Sequence, residues 1–185
     1  MITFVGLSGS LRKGSFNSAL LRAAAEVAPK GVQLVVKTIH GIPLYDADLE
    51  ANDGVPTAVE TIKEAIAAAD GLLIATPEYN NSMPGVFKNA VDWLSRPPAD
   101  LPRVFGGKPV AIMGASPGGF GTVLGQNAWL PVVRALGMEP WFGGRLMVSR
   151  ASGVFDEAGA MTDDGIREQL QRFISGFADF TRTFK

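Results

Sequence analysis

The residues best suited to chemistry form a loop rich in glycine and serine, residues 6–17. This loop follows an apolar run at residues 2–5 and precedes an alanine- and leucine-rich run at residues 18–25, so the sequence predicts a strand, a loop and a helix. Glycine lets backbone N–H groups approach an anion closely, and a helix N-terminus adds unpaired N–H groups and about half a positive charge. Together these features favour a terminal phosphate as the ligand. Five side chains add hydrogen-bond donors: Ser10, Arg12, Ser15, Asn17 and Ser18.

The same loop lacks the motifs that bind larger nucleotides. A P-loop needs lysine directly after its second glycine, whereas here Lys13 precedes Gly14. The Gly-x-Gly-x-x-Gly pattern of dinucleotide sites is also absent from this first turn. A ligand with one phosphate therefore fits better than a triphosphate or a dinucleotide. A tight turn that binds nothing is the alternative.

Two further loops follow apolar strands, at residues 77–82 and at residues 116–119. In the first loop Tyr79 offers a flat side chain, and Asn80 and Asn81 tolerate unusual backbone angles and donate hydrogen bonds. In the second loop Ser116 is a candidate donor to a ligand ring. An aromatic ligand held by backbone amides and a tyrosine fits these loops, and plain polar turns are the alternative.

Residues 114–118 also match the Gly-x-Ser-x-Gly pattern of a serine hydrolase, but the rest of a hydrolase site is missing. The single histidine, His40, lies far upstream, and Pro117 lacks the N–H group that an oxyanion hole takes from the residue after the nucleophile. We interpret His40 as an exposed or capping residue. No spacing of His, Asp and Glu indicates a metal site, and the acidic residues within 46–53 are interpreted as a solvated loop.

The elements that must position these loops alternate between strands and helices. Such alternation predicts an α/β fold with a parallel sheet, and five units fit a three-layer doubly wound sheet in the order 2-1-3-4-5. Ligands of such sheets bind at the carboxyl ends of the strands, where all three loops stand. Strands are predicted at residues 2–5, 32–36, 72–76, 109–113 and 141–148, the last interrupted by two glycines. Helices are predicted from residue 18, from a capping box at Thr57 and Glu60, at 86–94, at 122–136 with a kink or break at Pro131, and from 162 onward.

Composition narrows the class of protein further. A chain of 185 residues is predicted to form a single domain over residues 1–185. A net charge of −1 provides no electrostatic footprint for nucleic acid or an anionic membrane, and the absence of cysteine excludes disulfides and thiol chemistry. Neither a signal peptide nor an apolar run of membrane-spanning length is visible. We expect a cytoplasmic protein with no nucleic-acid or membrane partner.

Three sets of residues resemble, in the same order and over most of the chain, the NAD(P)H-dependent FMN reductase family and its bacterial quinone and chromate reductase branch. They are residues 9–17, residues 76–82 (Thr-Pro-Glu-Tyr-Asn-Asn-Ser) and residues 84–93 (Pro-Gly-x-x-Lys-Asn-Ala-x-Asp-Trp). The resemblance is specific because several motifs coincide. It implies a flavodoxin-like fold that binds FMN.

The resemblance also implies which residues contact FMN. The phosphate end is held by Ser10, Leu11, Arg12, Ser15 and Asn17. The isoalloxazine is contacted by Pro77, Glu78, Tyr79, Asn80 and Asn81, and the ring pocket is closed by Ser116 and Gly118. No acid–base residue is implied, because the flavin carries the chemistry.

The reaction that the resemblance implies is hydride transfer from NADPH or NADH to FMN and then to a small-molecule acceptor. A quinone, chromate, an azo compound and free flavin all fit as acceptors. A homodimer or homotetramer is also implied; Trp93, Phe105 and Trp129 are candidate interface residues, although core packing is the simpler interpretation of each. The alternatives are an FMN-binding interaction protein and a flavodoxin-like electron carrier, which the net charge of −1 disfavours because such carriers are usually strongly acidic.

Overall fold

The structure, a computed structural model that describes residues 1–184, contains one six-stranded sheet. The strands are β1 (Ile2–Ser8), β2 (Val32–Lys37), β3 (Gly71–Ala75), β4 (Pro109–Ala115), β5 (Glu139–Pro140) and β6 (Met147–Val148). They follow the order β2-β1-β3-β4-β5, with β6 also paired to β4, and these pairs are parallel. The predicted strand order is confirmed.

Helices cover both faces of this sheet. They are α1 (Phe16–Glu26), α2 (Ala47–Asp53), α3 (Thr57–Ala68), α4 (Gly85–Leu94), α5 (Leu101–Val104), α6 (Val123–Ala135) and α7 (Asp164–Arg182). The apolar sides of α1 and α7 form a core against one face of the sheet, and those of α3, α4 and α6 form a second core against the other. The three-layer, flavodoxin-like α/β fold is therefore confirmed.

The carboxyl ends of β1, β3 and β4 meet at one edge, where the strand order changes direction. Ser8 pairs with Ala75, and Ala75 pairs with Met113. Just beyond the strands, Gly9 N donates to Ala75 O at 2.9 Å and Thr76 N donates to Met113 O at 2.9 Å. The three loops predicted to bind a ligand therefore leave the sheet side by side.

The helices beneath these loops are positioned by close packing at Gly9. A Cβ atom at residue 9 would lie 2.2 Å from Phe87 Cδ1, so a side chain there would displace α4. The buried Phe87 ring packs edge-on against Trp129 of α6 at 4.8 Å. Trp129 Nε1 in turn donates to Thr76 Oγ1 at 3.0 Å. This chain of contacts ties α4 and α6 to the starts of two of the loops.

The predicted bounds of the fifth strand, residues 141–148, are wrong. Two short strands pair with β4 instead: β5 lies just before that range, and β6 forms its last two residues. Residues 141–146, between them, belong to no strand. The two glycines explain the departure, since Cβ atoms at Gly143 and Gly144 would lie 2.5 and 2.6 Å from the Trp141 indole. The chain folds tightly over this ring, which packs on Phe173 of α7 at 5.0 Å.

Other local predictions also need correction. Of the kink or break predicted at Pro131, the break is absent: α6 continues through this residue, because the buried Trp129 and Val133 on either side hold the helix against the sheet and offset the lost hydrogen bond. The acidic run at residues 46–53 is the helix α2, whose N-terminus is capped by Asp46 Oδ1 accepting from Asp48 N at 2.9 Å. α3 begins at Thr57 as predicted, but its N-cap is Pro56 and no capping box forms. Across residues 1–184, none of the helices combines the length and apolarity needed to span a membrane.

Candidate cofactor-binding site

The three loops line one cavity of about 270 Å³ at the carboxyl edge of the sheet. Eight of the twelve predicted ligand residues line it: Ser10, Arg12, Ser15, Asn17, Pro77, Glu78, Tyr79 and Ser116. Three further lining residues were not predicted: Phe16, Ala115 and Pro117. The remaining four predicted residues, Leu11, Asn80, Asn81 and Gly118, belong to the same loops but do not line the cavity.

One end of the cavity is formed by the N-terminus of α1. The helix begins at Phe16, two residues earlier than predicted, because Ser15 caps it: Ser15 Oγ accepts from Ser18 N at 3.2 Å. The N–H groups of Phe16 and Asn17 have no acceptor within the helix, as is general for a first turn. These donors and the positive end of the helix dipole favour an anion at this place.

Arg12 adds a positive charge to the same end. Its guanidinium lies 5.3 Å from the centre of the Phe16 ring and forms no ion pair with any residue in the range 1–184. The loop itself is tightened by two hydrogen bonds, from Ser15 N to Arg12 O at 3.1 Å and from Arg12 N to Ser10 Oγ at 3.3 Å. A cation without a protein counter-ion beside a helix N-terminus suits a phosphate.

The buried side chain of Asn17 connects this end to β4. Asn17 Nδ2 donates to Ala115 O at 2.8 Å, and Ala115 N donates to Asn17 Oδ1 at 2.9 Å. Both bonds join residues 98 positions apart in sequence. The side-chain amide therefore sets the distance between α1 and the loop that starts at Ser116. The backbone N–H group of Asn17 takes no part in these bonds and stays available at the helix N-terminus.

The other end of the cavity begins at a tight hairpin. Tyr79 N donates to Ser82 O at 2.9 Å and Ser82 N donates to Tyr79 O at 3.0 Å. The residues between them, Asn80 and Asn81, have φ angles of 51° and 62°. This is the geometry of a type I′ turn, and it confirms that the two asparagines adopt left-handed backbone angles. The Tyr79 side chain is 54% exposed at the mouth of the cavity.

Glu78 and Ser116 hold the walls of this second end. Glu78 Oε2 accepts from Gly125 N in the first turn of α6 at 2.8 Å. Ser116 Oγ donates to Gly121 O at 2.6 Å, which closes the loop after β4. The ring of His40 contacts Thr38 and Leu11, so it provides no base for Ser116. The geometry is that of a binding pocket and excludes the serine-hydrolase interpretation.

A polar network lies beside α4, outside the cavity lining. Arg96 Nε donates to both carboxylate oxygens of Glu50, at 3.0 and 2.8 Å, and these bonds lower the pKa of Glu50. Tyr45 OH donates to Glu50 Oε2 at 2.9 Å, and this bond raises the pKa of Tyr45. The network fastens α2 to the segment that follows α4.

Comparison with known proteins assigns a family. A model of the family described as NADPH-dependent FMN reductase matches residues 2–153. The NAD(P)H-dependent FMN reductase of Pseudomonas aeruginosa is 45% identical over 184 residues, which are 100% of this chain and 97% of that protein. The quinone reductase of Escherichia coli K12 is 40% identical over 98% of this chain and 96% of that protein. Among solved structures, the flavoenzyme NAD(P)H:(acceptor) oxidoreductase of Paracoccus denitrificans has a TM-score of 0.87 and 31% identity, over 99% of this chain and 98% of that one.

The donor set of the cavity fits FMN. Arg12, Ser10 and the N-terminus of α1 suit its single phosphate, while Pro77, Tyr79 and Pro117 offer flat surfaces for its ring. The predicted cofactor, co-substrate and enzyme class are confirmed: the protein is an oxidoreductase that uses FMN and NAD(P)H. The chain therefore belongs to the NADPH-dependent FMN reductase family.

Proposed function

We propose that this chain, as a single FMN-binding domain, oxidises NAD(P)H and reduces a quinone or a similar small acceptor. The observation that carries the proposal is the cavity itself. An unpaired Arg12 and a helix N-terminus lie at one end, and an exposed Tyr79 on a tight turn lies at the other. The end with Arg12 suits a fixed phosphate. The end with Tyr79 suits the flavin ring, one face of which must be open to two substrates in turn. Relatives named as quinone reductases support the choice of acceptor.

The proposed roles correspond to the two ends of the cavity. Ser10, Arg12, Ser15 and the backbone of Leu11 and Asn17 hold the phosphate. The ring lies against the turn and the loop after β4, where the contacts come from Pro77, Glu78, Tyr79, Asn80, Asn81, Ser116 and Gly118. When bound, FMN supplies the hydride-accepting and hydride-donating chemistry, and the protein supplies position and electrostatics.

The turn at Tyr79 also offers backbone dipoles to a bound ring. The N–H group of Tyr79 is committed to Ser82 O, whereas that of Asn80 has no hydrogen-bond partner within residues 1–184. A fixed N–H group at the edge of a ring stabilises negative charge there without reorganisation. We therefore assign this role to Asn80 rather than to Tyr79.

The test uses the purified protein with NADPH or NADH and 1,4-benzoquinone. We expect the purified protein to be yellow. The absorbance of NADPH or NADH should fall at a rate that depends on the quinone concentration. A yellow protein that oxidises neither nucleotide would support an electron carrier and contradict the enzyme assignment. A protein that takes up no flavin on incubation with FMN would contradict the whole proposal.

A homodimer or homotetramer is also proposed. The candidate interface residues Trp93, Phe105 and Trp129 are buried in the core, so their simpler interpretation is correct. Exposed apolar side chains lie elsewhere, at Phe120, which is 88% exposed, and at Phe142, which is 69% exposed. Light scattering during gel filtration distinguishes a monomer from either assembly. A cytoplasmic location stays a prediction from the sequence.

A further inference from the structure

The segment between β2 and α2 is fastened to α4 at one of its ends. Pro43 O accepts two hydrogen bonds, from Asn89 Nδ2 at 2.8 Å and from Trp93 Nε1 at 3.0 Å. Tyr45 N donates to Asn89 Oδ1 at 2.8 Å, and the Tyr45 ring packs edge-on to Trp93 at 5.0 Å. Since Trp93 is fully buried, this part of the segment has a fixed position relative to the core.

The other end of the segment reaches the phosphate loop through His40. Its Nε2 lies 3.0 Å from Leu11 O, and its Nδ1 contacts Thr38 Oγ1. A carbonyl oxygen can only accept, so Nε2 carries the proton of this bond. The contact between Thr38 Oγ1 and Nδ1 holds the other side of the ring, so the two contacts together orient the imidazole.

The Leu11 carbonyl shares a peptide plane with the N–H group of Arg12. In a trans peptide these two groups point in opposite directions. Holding Leu11 O towards His40 therefore turns Arg12 N–H the other way, towards Ser10 Oγ at 3.3 Å. Ser10 and Arg12 both line the cavity at its phosphate end. The contact with His40 therefore helps to set the orientation of the peptide that joins the residues expected to contact a phosphate.

We propose that His40 is a positioning residue for FMN binding, which acts through Leu11 O to fix the Leu11–Arg12 peptide of the phosphate loop. This inference rests on the proposed function, in which that loop holds the phosphate. Within residues 1–184, His40 forms no hydrogen bond to a cavity-lining side chain, so we expect its effect at the phosphate end alone. Its loss is expected to weaken the binding of FMN and to leave contacts to the flavin ring unchanged.

The test compares FMN with riboflavin, which has the same ring and no phosphate. Dissociation constants are measured by flavin fluorescence on the full-length apoprotein and its variants. For His40→Ala we expect the FMN constant to rise about two- to tenfold, the range for one lost hydrogen bond, with no change for riboflavin. Leu44→Ala is the matched control, since Leu44 lies in the same segment and is 80% exposed. It should bind both flavins as the parent chain does.

Two conservative variants separate the hydrogen bond from a general effect on the fold. His40→Gln carries an amide donor close to the position of Nε2 and should restore FMN binding to within about twofold of the parent. His40→Asn places its donor near Nδ1, out of reach of Leu11 O, and should behave as His40→Ala does. Unchanged FMN binding in His40→Ala, equal weakening of both flavins, or no rescue by glutamine would each overturn the inference.

Arg12→Ala distinguishes failure of this inference from failure of the proposed site. If Arg12→Ala weakens FMN but not riboflavin while His40→Ala weakens neither, the phosphate site stands and the role of His40 is wrong. If the parent chain binds riboflavin as tightly as FMN, the phosphate assignment itself is wrong and the inference falls with it.

Discussion

The two ends of the cavity are built in different ways. At the phosphate end, Ser15 and Asn17 are 4% and 3% exposed, and their side chains cap α1 and clamp β4. At the ring end, Tyr79 is 54% exposed on a turn closed by two backbone hydrogen bonds. The cap and clamp beneath the proposed anchor are thus part of the core, although Arg12 itself is exposed. The face where we propose that substrates exchange stands on turns at the surface.

The largest effect is expected at the anchor. Arg12→Ala should raise the FMN dissociation constant roughly 10- to 100-fold, because in the proposed site it removes a charged hydrogen-bond donor to the phosphate. The KM for the quinone at saturating FMN should change little. Arg134→Ala, on the last turn of α6, is the control for a general change of charge. Equal FMN affinity in the Arg12 variant and the parent would remove the distinction between the two ends.

The link between the ends is the next target. Asn17→Ala leaves the backbone N–H and C=O of the buried Ala115 without partners, at a cost of about 2–4 kcal/mol in the free energy of unfolding. Urea denaturation of the apoprotein measures this loss. Asn127→Ala, an exposed position on α6, should unfold as the parent does. If Asn17→Ala kept full stability, the clamp would be ruled out and a direct phosphate contact of the side chain would become the better account.

At the ring end we expect a smaller effect, on substrate KM rather than on FMN affinity. Tyr79→Ala should leave FMN affinity within about threefold of the parent, since an exposed side chain makes few buried contacts. The KM for the nucleotide or the quinone should rise severalfold, because Tyr79 lies at the mouth where we propose that both enter. Steady-state kinetics with each substrate varied in turn measures this. A large loss of FMN with unaltered KM values would show that Tyr79 belongs to the anchor.

The smallest effect concerns pH and lies outside both ends. Arg96 lowers the folded-state pKa of Glu50, so this carboxylate contributes stability above its unfolded pKa of about 4.3 and loses it as pH falls through the folded value. The melting temperature of Glu50→Gln should therefore fall less than that of the parent when the pH is lowered from about 5 to about 3. Thermal unfolding at several pH values tests this. If the parent and Glu50→Gln showed the same dependence of melting temperature on pH, carboxylates other than Glu50 would account for the acid sensitivity.

Several local patterns in the sequence predicted the structure correctly, although the capping box at Thr57 and the loop at residues 46–53 did not. The apolar run of β3 is buried along its whole length, and the asparagines at 80 and 81 take the left-handed angles that their side chains tolerate. Two other predictions failed because a distant contact overrode the local pattern. Residues 143 and 144 leave the sheet because they pack on the Trp141 ring. Helix α6 continues through Pro131 because buried neighbours hold it against the sheet.

The role of Glu78 could not be found from spacing, because its partner Gly125 is 47 residues away. The same holds for the 98 residues between Asn17 and Ala115, and for the 29 between His40 and Leu11. A hydrogen bond of this kind depends on where two elements lie after they pack. No periodicity or motif in either segment predicts it.

The amino-acid sequence alone specified the first four strands, the helices other than α2 and α5, the glycine- and serine-rich loop at the first helix and the three loops at one edge. Apolar periodicity, helix caps and turn residues act over a few positions, so they can be seen in the chain. The role of each polar side chain depended on the tertiary structure. Packing made Asn17 a clamp, Glu78 a support for α6 and His40 a contact of the phosphate loop, because those partners meet only when β1, β3 and β4 end side by side.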